Sequence, residues 1–236
     1  MPNHGGPKTG WTDQGGADKG WIHSLKRGSG DLTLLLLHST GGDETQLLAL
    51  GREVAPEANL LGVRGRSLEE GVPRYFRRFG AADYDQPQVW GEAEALAAFL
   101  AGATEQYGLN PTRTVLLGHG NGAELGLALL LCRPGLLAGA ALLRPTLPVD
   151  EPLGTPLNGP LTTILNSLPV LLLHGVDDPY APFGEAIAPL LRKLGADLED
   201  RRLNAGHAIT DHDTVILTRW LAPCCATQGA NHDQTF

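Results

Sequence analysis

The sequence predicts an α/β domain: a mostly parallel central sheet with helices on both faces. Two observations carry this. Short apolar runs alternate with longer segments whose apolar residues recur at helical spacing. A run without polar alternation reads as a strand buried on both faces, and alternating strands and helices assemble into a parallel sheet covered on both sides. Several of these runs stop at a glycine or a small polar cluster. In such sheets the loops at the carboxyl ends of the strands carry the sites.

The elements follow in order. Residues 1–19 hold Gly, Asp and Lys without periodicity and are expected to be a flexible tail ahead of a domain spanning 20–222. WIHSLK fits an edge strand, and DLTLLLLH a buried strand ending in a glycine turn. DETQLLALGREVA has helical spacing, with Asp43 suited to cap its start. ANLLGVRG is the next strand, and residues 64–87 form a long connection with little regularity. QVWGEAEALAAFLAGATEQYG is an amphipathic helix. RTVLLGHG is a strand, NGAELGLALLLCRPG the helix after it, and LLAGAALLRP a further strand. Residues 145–168, rich in Pro, Gly, Leu and Thr, read as an insertion or cap loop that, with Arg144, could cap an entrance, a role the sequence leaves open. PVLLLHG is a strand, and APFGEAIAPLLRKLG a helix with Pro182 near its first turn. ADLEDRRL is a more polar strand near the sheet edge, and DHDTVILTRWLA the final helix. Pro223 closes that helix, and residues 223–236 are expected to be a second flexible tail.

At 236 residues the chain is one domain with tails, large enough to bury a core without cross-links. Its 18 basic and 26 acidic residues leave a net charge of −8, which argues against nucleic acid as a partner. No apolar run approaches the ~18 residues of a membrane span. The first twenty residues lack the apolar stretch of a secretory signal. Three cysteines, two of them adjacent, make a poor disulfide framework, so a reduced, cytoplasmic protein is expected. The sequence leaves a homodimer open.

Four strand-end loops are chemically unusual. In LLHSTGGDE, glycines let backbone N–H groups point into a pocket, so the loop is either one side of an oxyanion hole or a plain turn. GHGNG, residues 118–122, has the small corners that a sharp strand–turn–helix needs. The N–H of Asn121, at the helix start, is free to meet negative charge. A dinucleotide fingerprint fails here at Ala123 and Glu124, and no P-loop Lys-Ser/Thr follows. HGVDDPYAP brings Asp177 and Asp178, either of which can orient an imidazole or cap a helix. NAGHAITDHD brings His207, a candidate general base held by Asp178. A metal site from His207, Asp211, His212 and Asp213 is set against the simpler reading of an Asp-rich helix start. In PRYFRRF, Arg74, Arg77 and Arg78 either recognise an acidic group or form a solvated basic face. Tyr75, Phe76 and Phe79 either line an acyl pocket or anchor the long loop.

LLLLHSTGGDE, RYFRRF, LLGHGNGAELGLALLL, LAGAALLRP, HGVDDPYAP and AGHAIT stand in this order across roughly residues 30–222. Together they resemble the α/β-hydrolases of the carboxylesterase/phospholipase family, including the small bacterial esterases. The resemblance implies the α/β-hydrolase fold and hydrolysis of small-molecule esters or thioesters through an acyl-enzyme, with no cofactor. It implies Asp178 as the acid, His207 as the base, Thr40 and Asn121 as the oxyanion residues, and residue 120 as the nucleophile position. The family turn reads G-[aromatic]-S-[NQ]-G. Here Gly120 replaces the serine, His119 the aromatic, and Ser39 a glycine of the oxyanion loop.

Four readings of the missing serine follow. It was removed from a working esterase, by design or by loss. Water, activated by His207, attacks directly in its place. Ser39 has taken over as nucleophile, against the blander possibility that it bonds its own loop. Or the chain is silent and binds a small apolar ester or acid in the former acyl pocket. The expected function is carboxylic-ester hydrolysis, inherited or residual, with the silent binding protein as the alternative.

Overall fold

A computed structural model describes residues 20–150 and 164–226. The chain forms, in order, β1 (His23–Lys26), β2 (Thr33–Leu37), α1 (Leu48–Val54), β3 (Asn59–Val63), β4 (Ser67–Glu69) and β5 (Val72–Arg74). Then come α2 (Gln86–Tyr107), β6 (Thr114–His119), α3 (Asn121–Cys132), β7 (Gly139–Leu143), β8 (Pro169–Gly175), α4 (Ile187–Lys193), β9 (Asp197–Leu203) and α5 (Asp211–Cys225). Seven strands build one sheet in the order β1-β3-β2-β6-β7-β8-β9. Only β1 runs antiparallel to its neighbour; the other pairs are parallel.

Side chains alternate across a strand, so each apolar run feeds two cores. Leu35 and Leu37 of β2 join Leu96 and Leu100 of α2, Leu125 and Leu129 of α3, and Ile187 and Leu191 of α4. Leu34 and Leu36 face the other way, toward Val54 of α1 and Leu217 and Leu221 of α5. The helices therefore cover both faces, as the apolar runs predict. Polar β9 is the edge strand.

Several boundaries differ from the sequence expectation, each for a local reason. The connection at 64–87 contains the β4–β5 hairpin, closed by Glu70 and Gly71 with φ of 52° and 80°. Both central residues lie in the left-handed region, as a tight two-residue hairpin turn requires. Asp43 does not cap α1. Its carboxylate accepts from the amide (2.8 Å) and hydroxyl (2.6 Å) of Thr45, and the resulting turn delays the helix to Leu48. The helix read over 181–195 is split into a 3₁₀ turn, Ala181–Gly184, and α4. Pro189 has no N–H to give the Glu185 carbonyl, so a continuous helix would lose that bond. Conversely, α5 runs through Pro223 to Cys225 instead of stopping there. A proline in the last turn removes a single bond, and Ala226 N–H still reaches the Ala222 carbonyl at 3.1 Å. The first tail, 227–236 of the second, and 151–163 of the cap loop lie outside the described residues. Among the described residues no helix is long and apolar enough to cross a membrane.

Candidate active site

Four parallel strands, β2, β6, β8 and β9, end at the same edge of the sheet, and their loops bring together Ser39 and Thr40, Gly120, Asp178 and His207. Gly118 and Gly122 make the β6–α3 corner possible. A Cβ on Gly122 would lie 2.2 Å from the Leu37 carbonyl oxygen, and one on Gly118 would lie 2.7 Å from the Ala123 nitrogen. Between them Gly120 has φ 51° and ψ −118°, a conformation that L side chains rarely adopt. Its N–H donates to the Leu143 carbonyl at 2.8 Å, stitching the turn to β7.

His207 meets this turn. Its Nδ1 lies 2.9 Å from Asp178 Oδ2, and Asp178 is almost wholly buried. The other carboxylate oxygen accepts from the Tyr180 amide at 2.9 Å, which fixes its orientation. Asp177, by contrast, is exposed, and no imidazole bonds its carboxylate among the described residues. With Nδ1–H committed to the carboxylate, Nε2 keeps its lone pair. A Cβ on Gly120 would stand 3.1 Å from that Nε2.

His119 packs its ring beside His207, with centroids 5.1 Å apart, and its Nε2–H donates to the His207 carbonyl at 2.9 Å. Burial is the main reason its pKa is pulled down to about 4, so the imidazole is neutral near pH 7. His119 therefore holds the His207 backbone and brings no charge to the site.

Arg144 does not cap an entrance. It is wholly buried and pairs with Asp213 through two bonds of 2.9 and 2.8 Å. Its guanidinium also donates to the carbonyls of Gly206 (2.9 Å) and Ala208 (3.5 Å), on either side of His207. Asp213 in turn accepts from the amide and hydroxyl of Thr210, both at 2.8 Å, closing the start of α5. The loop that carries His207 is thus clamped between the end of β7 and the start of α5. Asp213 is spent in this clamp, while Asp211 and His212 are exposed. Among the described residues no three His, Cys, Asp or Glu side chains converge as a metal-binding group.

On the oxyanion side, neither the Thr40 nor the Asn121 amide donates to a protein acceptor among the described residues. Both residues line the same pocket. The Asn121 side chain braces the corner. Its Oδ1 accepts from Tyr75 N–H (2.8 Å), and its Nδ2 donates to Glu124 (2.9 Å). Tyr75 OH accepts from His38 N–H (3.0 Å) and donates to the Val63 carbonyl (2.7 Å). His38 Nε2 accepts from Gly65 N–H (2.9 Å), so its Nδ1–H donates to the Ser39 carbonyl (2.7 Å). Tyr75 and Phe76 are core anchors of the long connection and do not line the pocket, and Phe79 is exposed. Ser39 Oγ has Gln46 as its partner, at 3.2–3.3 Å, and makes no bond to His207.

The pocket measures about 180 Å³. Besides the turn and His207, its walls include Arg74, Arg78, Tyr84, Glu124 and Thr146. Tyr84 OH and Thr146 Oγ1 both reach Glu124 Oε1, at 2.9 and 2.8 Å, and each other at 2.7 Å. The sequence reading missed these three. The available signal was Glu124 itself, one helical turn beyond Asn121 on a helix otherwise apolar after Gly122.

Comparison with known proteins gives a consistent result. Residues 84–224 match the sequence profile of the Phospholipase/Carboxylesterase family. The protein MhqD of Bacillus subtilis (strain 168), whose name describes it as a hydrolase, is 34% identical over 200 residues. That alignment spans 84% of this chain and 96% of MhqD. The Bacillus cereus carboxylesterase superposes with a TM-score of 0.80 at 30% identity, over 88% of this chain and 96% of that one. A carboxylesterase from Mesorhizobium loti gives a TM-score of 0.76 at 37% identity, over 83% and 90% of the two chains.

Proposed function

Because this chain belongs to the phospholipase/carboxylesterase family of α/β-hydrolases, we propose that it hydrolyses small carboxylic esters slowly, with water in place of a serine nucleophile. The observation that carries the proposal is the 3.1 Å between His207 Nε2 and a Cβ built on Gly120, together with the 2.9 Å His207–Asp178 bond. Glycine leaves room for a water where a serine side chain would stand.

In this reading His207 Nε2 takes a proton from that water as its oxygen attacks the ester carbonyl. Asp178 keeps the imidazole oriented and stabilises the imidazolium that forms. The oxyanion meets the Thr40 and Asn121 amides, the latter at the positive end of α3. His207 then returns the proton to the leaving alkoxide. No acyl-enzyme forms, so product should appear without a burst. Oxyanion hole and binding alone can leave roughly 10³–10⁴-fold acceleration over water. The bond between Ser39 Oγ and Gln46 speaks against Ser39 as a substitute nucleophile. Free thiols at Cys132, Cys224 and Cys225 suit a reducing, cytoplasmic setting.

The test compares p-nitrophenyl acetate hydrolysis by this chain and by His207→Ala. Linear release above the buffer rate, lost in the variant, is the expected result. Saturable ester binding with no turnover in either protein would replace the proposal with a silent binding protein.

A further inference from the structure

The basic stretch on β5 and the loop after it contains arginines in different situations. Arg77 points to solvent and ion-pairs with Glu69 (3.8 Å) and Asp85 (3.7 Å). Arg74 lines the pocket, stands 3.4 Å from Glu69 and donates to Thr40 Oγ1 at 3.3 Å. Arg78 also lines the pocket, is half-buried, and has no ion-pair or side-chain hydrogen-bond partner among the described residues. A half-buried guanidinium gives up part of its hydration, and in a chain of net charge −8 carboxylates are plentiful. The pocket's own carboxylate, Glu124, is not that partner. It is 5% exposed and already accepts from Tyr84, Thr146 and Asn121.

Arg78 therefore brings to the pocket wall a guanidinium with no protein partner among the described residues, beside the Arg74 that touches the oxyanion loop. A guanidinium fork matches a carboxylate in shape and charge. We propose that the ester taken by this site carries a second, free carboxylate, as in a monoester of a short dicarboxylic acid, and that Arg78 is its specificity-determining residue, with Arg74 beside it. Its kinetic consequences rest on the esterase reading above; its binding consequences do not.

The test has two arms. In the first, monomethyl succinate and methyl butyrate, of similar size but different charge, are titrated into the chain as it stands, by calorimetry. Monomethyl succinate is expected to bind about tenfold more tightly, the size of one charge-assisted hydrogen bond at a half-exposed position. Arg78→Gln should remove that margin, Arg78→Lys should restore part of it, and added salt should weaken only the acid. In the second arm, the p-nitrophenyl hemisuccinate and butyrate esters are compared. Arg78→Gln should raise KM for the hemisuccinate about tenfold with kcat little changed, and leave the butyrate alone. Equal binding of the two esters, or an Arg78→Gln loss shared equally by both, overturns the proposal. Failure of every ester to turn over would overturn the esterase reading alone, because the binding arm still decides this one.

Discussion

Replacing Gly120 with alanine should destabilise the fold, by an amount that follows from its geometry. With φ 51° and ψ −118°, residue 120 lies where an L side chain costs on the order of 1–3 kcal/mol. The new Cβ would sit 3.1 Å from His207 Nε2 and 3.5 Å from Ser39 Cβ, so the imidazole must give by a few tenths of an ångström. Against this, alanine reduces the freedom of the unfolded chain, worth about 0.4–1 kcal/mol in favour of folding. The balance is a loss of roughly 1–2 kcal/mol, or about 2–8 °C in Tm for a chain of this size. Urea titrations of the two proteins, read at equal m, give the difference directly. An alanine variant as stable as the parent, or more so, would refute the claim that the turn holds a strained backbone. The same cost applies to Gly120→Ser, so the side chain that restores a nucleophile should lower stability as it raises activity.

Other predictions follow from the clamp and the buried histidine. Asp213→Ala strands a buried Arg144 and should cost about 3–5 kcal/mol in urea denaturation, whereas a joint Arg144→Met, Asp213→Leu variant should recover most of it. A cost under about 1 kcal/mol for the single variant would show that the pair is not sealed from water. His119 is buried neutral with a pKa of about 4 against an ordinary 6.5, so the unfolded chain takes up a proton that the folded chain refuses. Stability should therefore fall as pH drops from about 6.5 to about 4, with about 3 kcal/mol of the loss due to His119. Burial holds His38 and His174 down as well, and they add to the loss in the same direction. His119→Phe should flatten that slope; an unchanged pH–stability curve would remove His119 as its source.

The parts of the fold set by burial were readable in the sequence, and the parts set by local competition were not. DLTLLLLH, RTVLLGHG and PVLLLHG are apolar on both faces, and a chain segment of that kind fits only the interior of the sheet. The ends of elements depend on single bonds that periodicity does not see. The Asp43–Thr45 turn shortens α1, and the missing N–H of Pro189 splits the helix before β9. The β4–β5 strands are three residues each, too short to show a period, although the Glu70–Gly71 turn was a usable signal. At the site, Asp178, His207, Asn121 and Gly120 were marked by their loops and Thr40 by the family resemblance; Thr40, Gly120, Asn121 and His207 line one pocket, with Asp178 bonded to His207 behind it. The role of Arg144 was left open by the sequence because its partner Asp213 lies 69 residues away. Tyr84 was missed for the same kind of reason: its link to Glu124 and Thr146 exists only in the folded chain.

The most direct measurement is the pre-steady-state release of p-nitrophenol from a short acyl ester by this chain and by Gly120→Ser, side by side. If everything of a serine esterase is in place except the side chain at 120, the serine variant shows a burst of one p-nitrophenol per chain. Its turnover is then faster by on the order of 10²-fold or more, while the parent releases product slowly and linearly from the start. A serine variant with neither burst nor gain, or a burst from the parent itself, would contradict that claim.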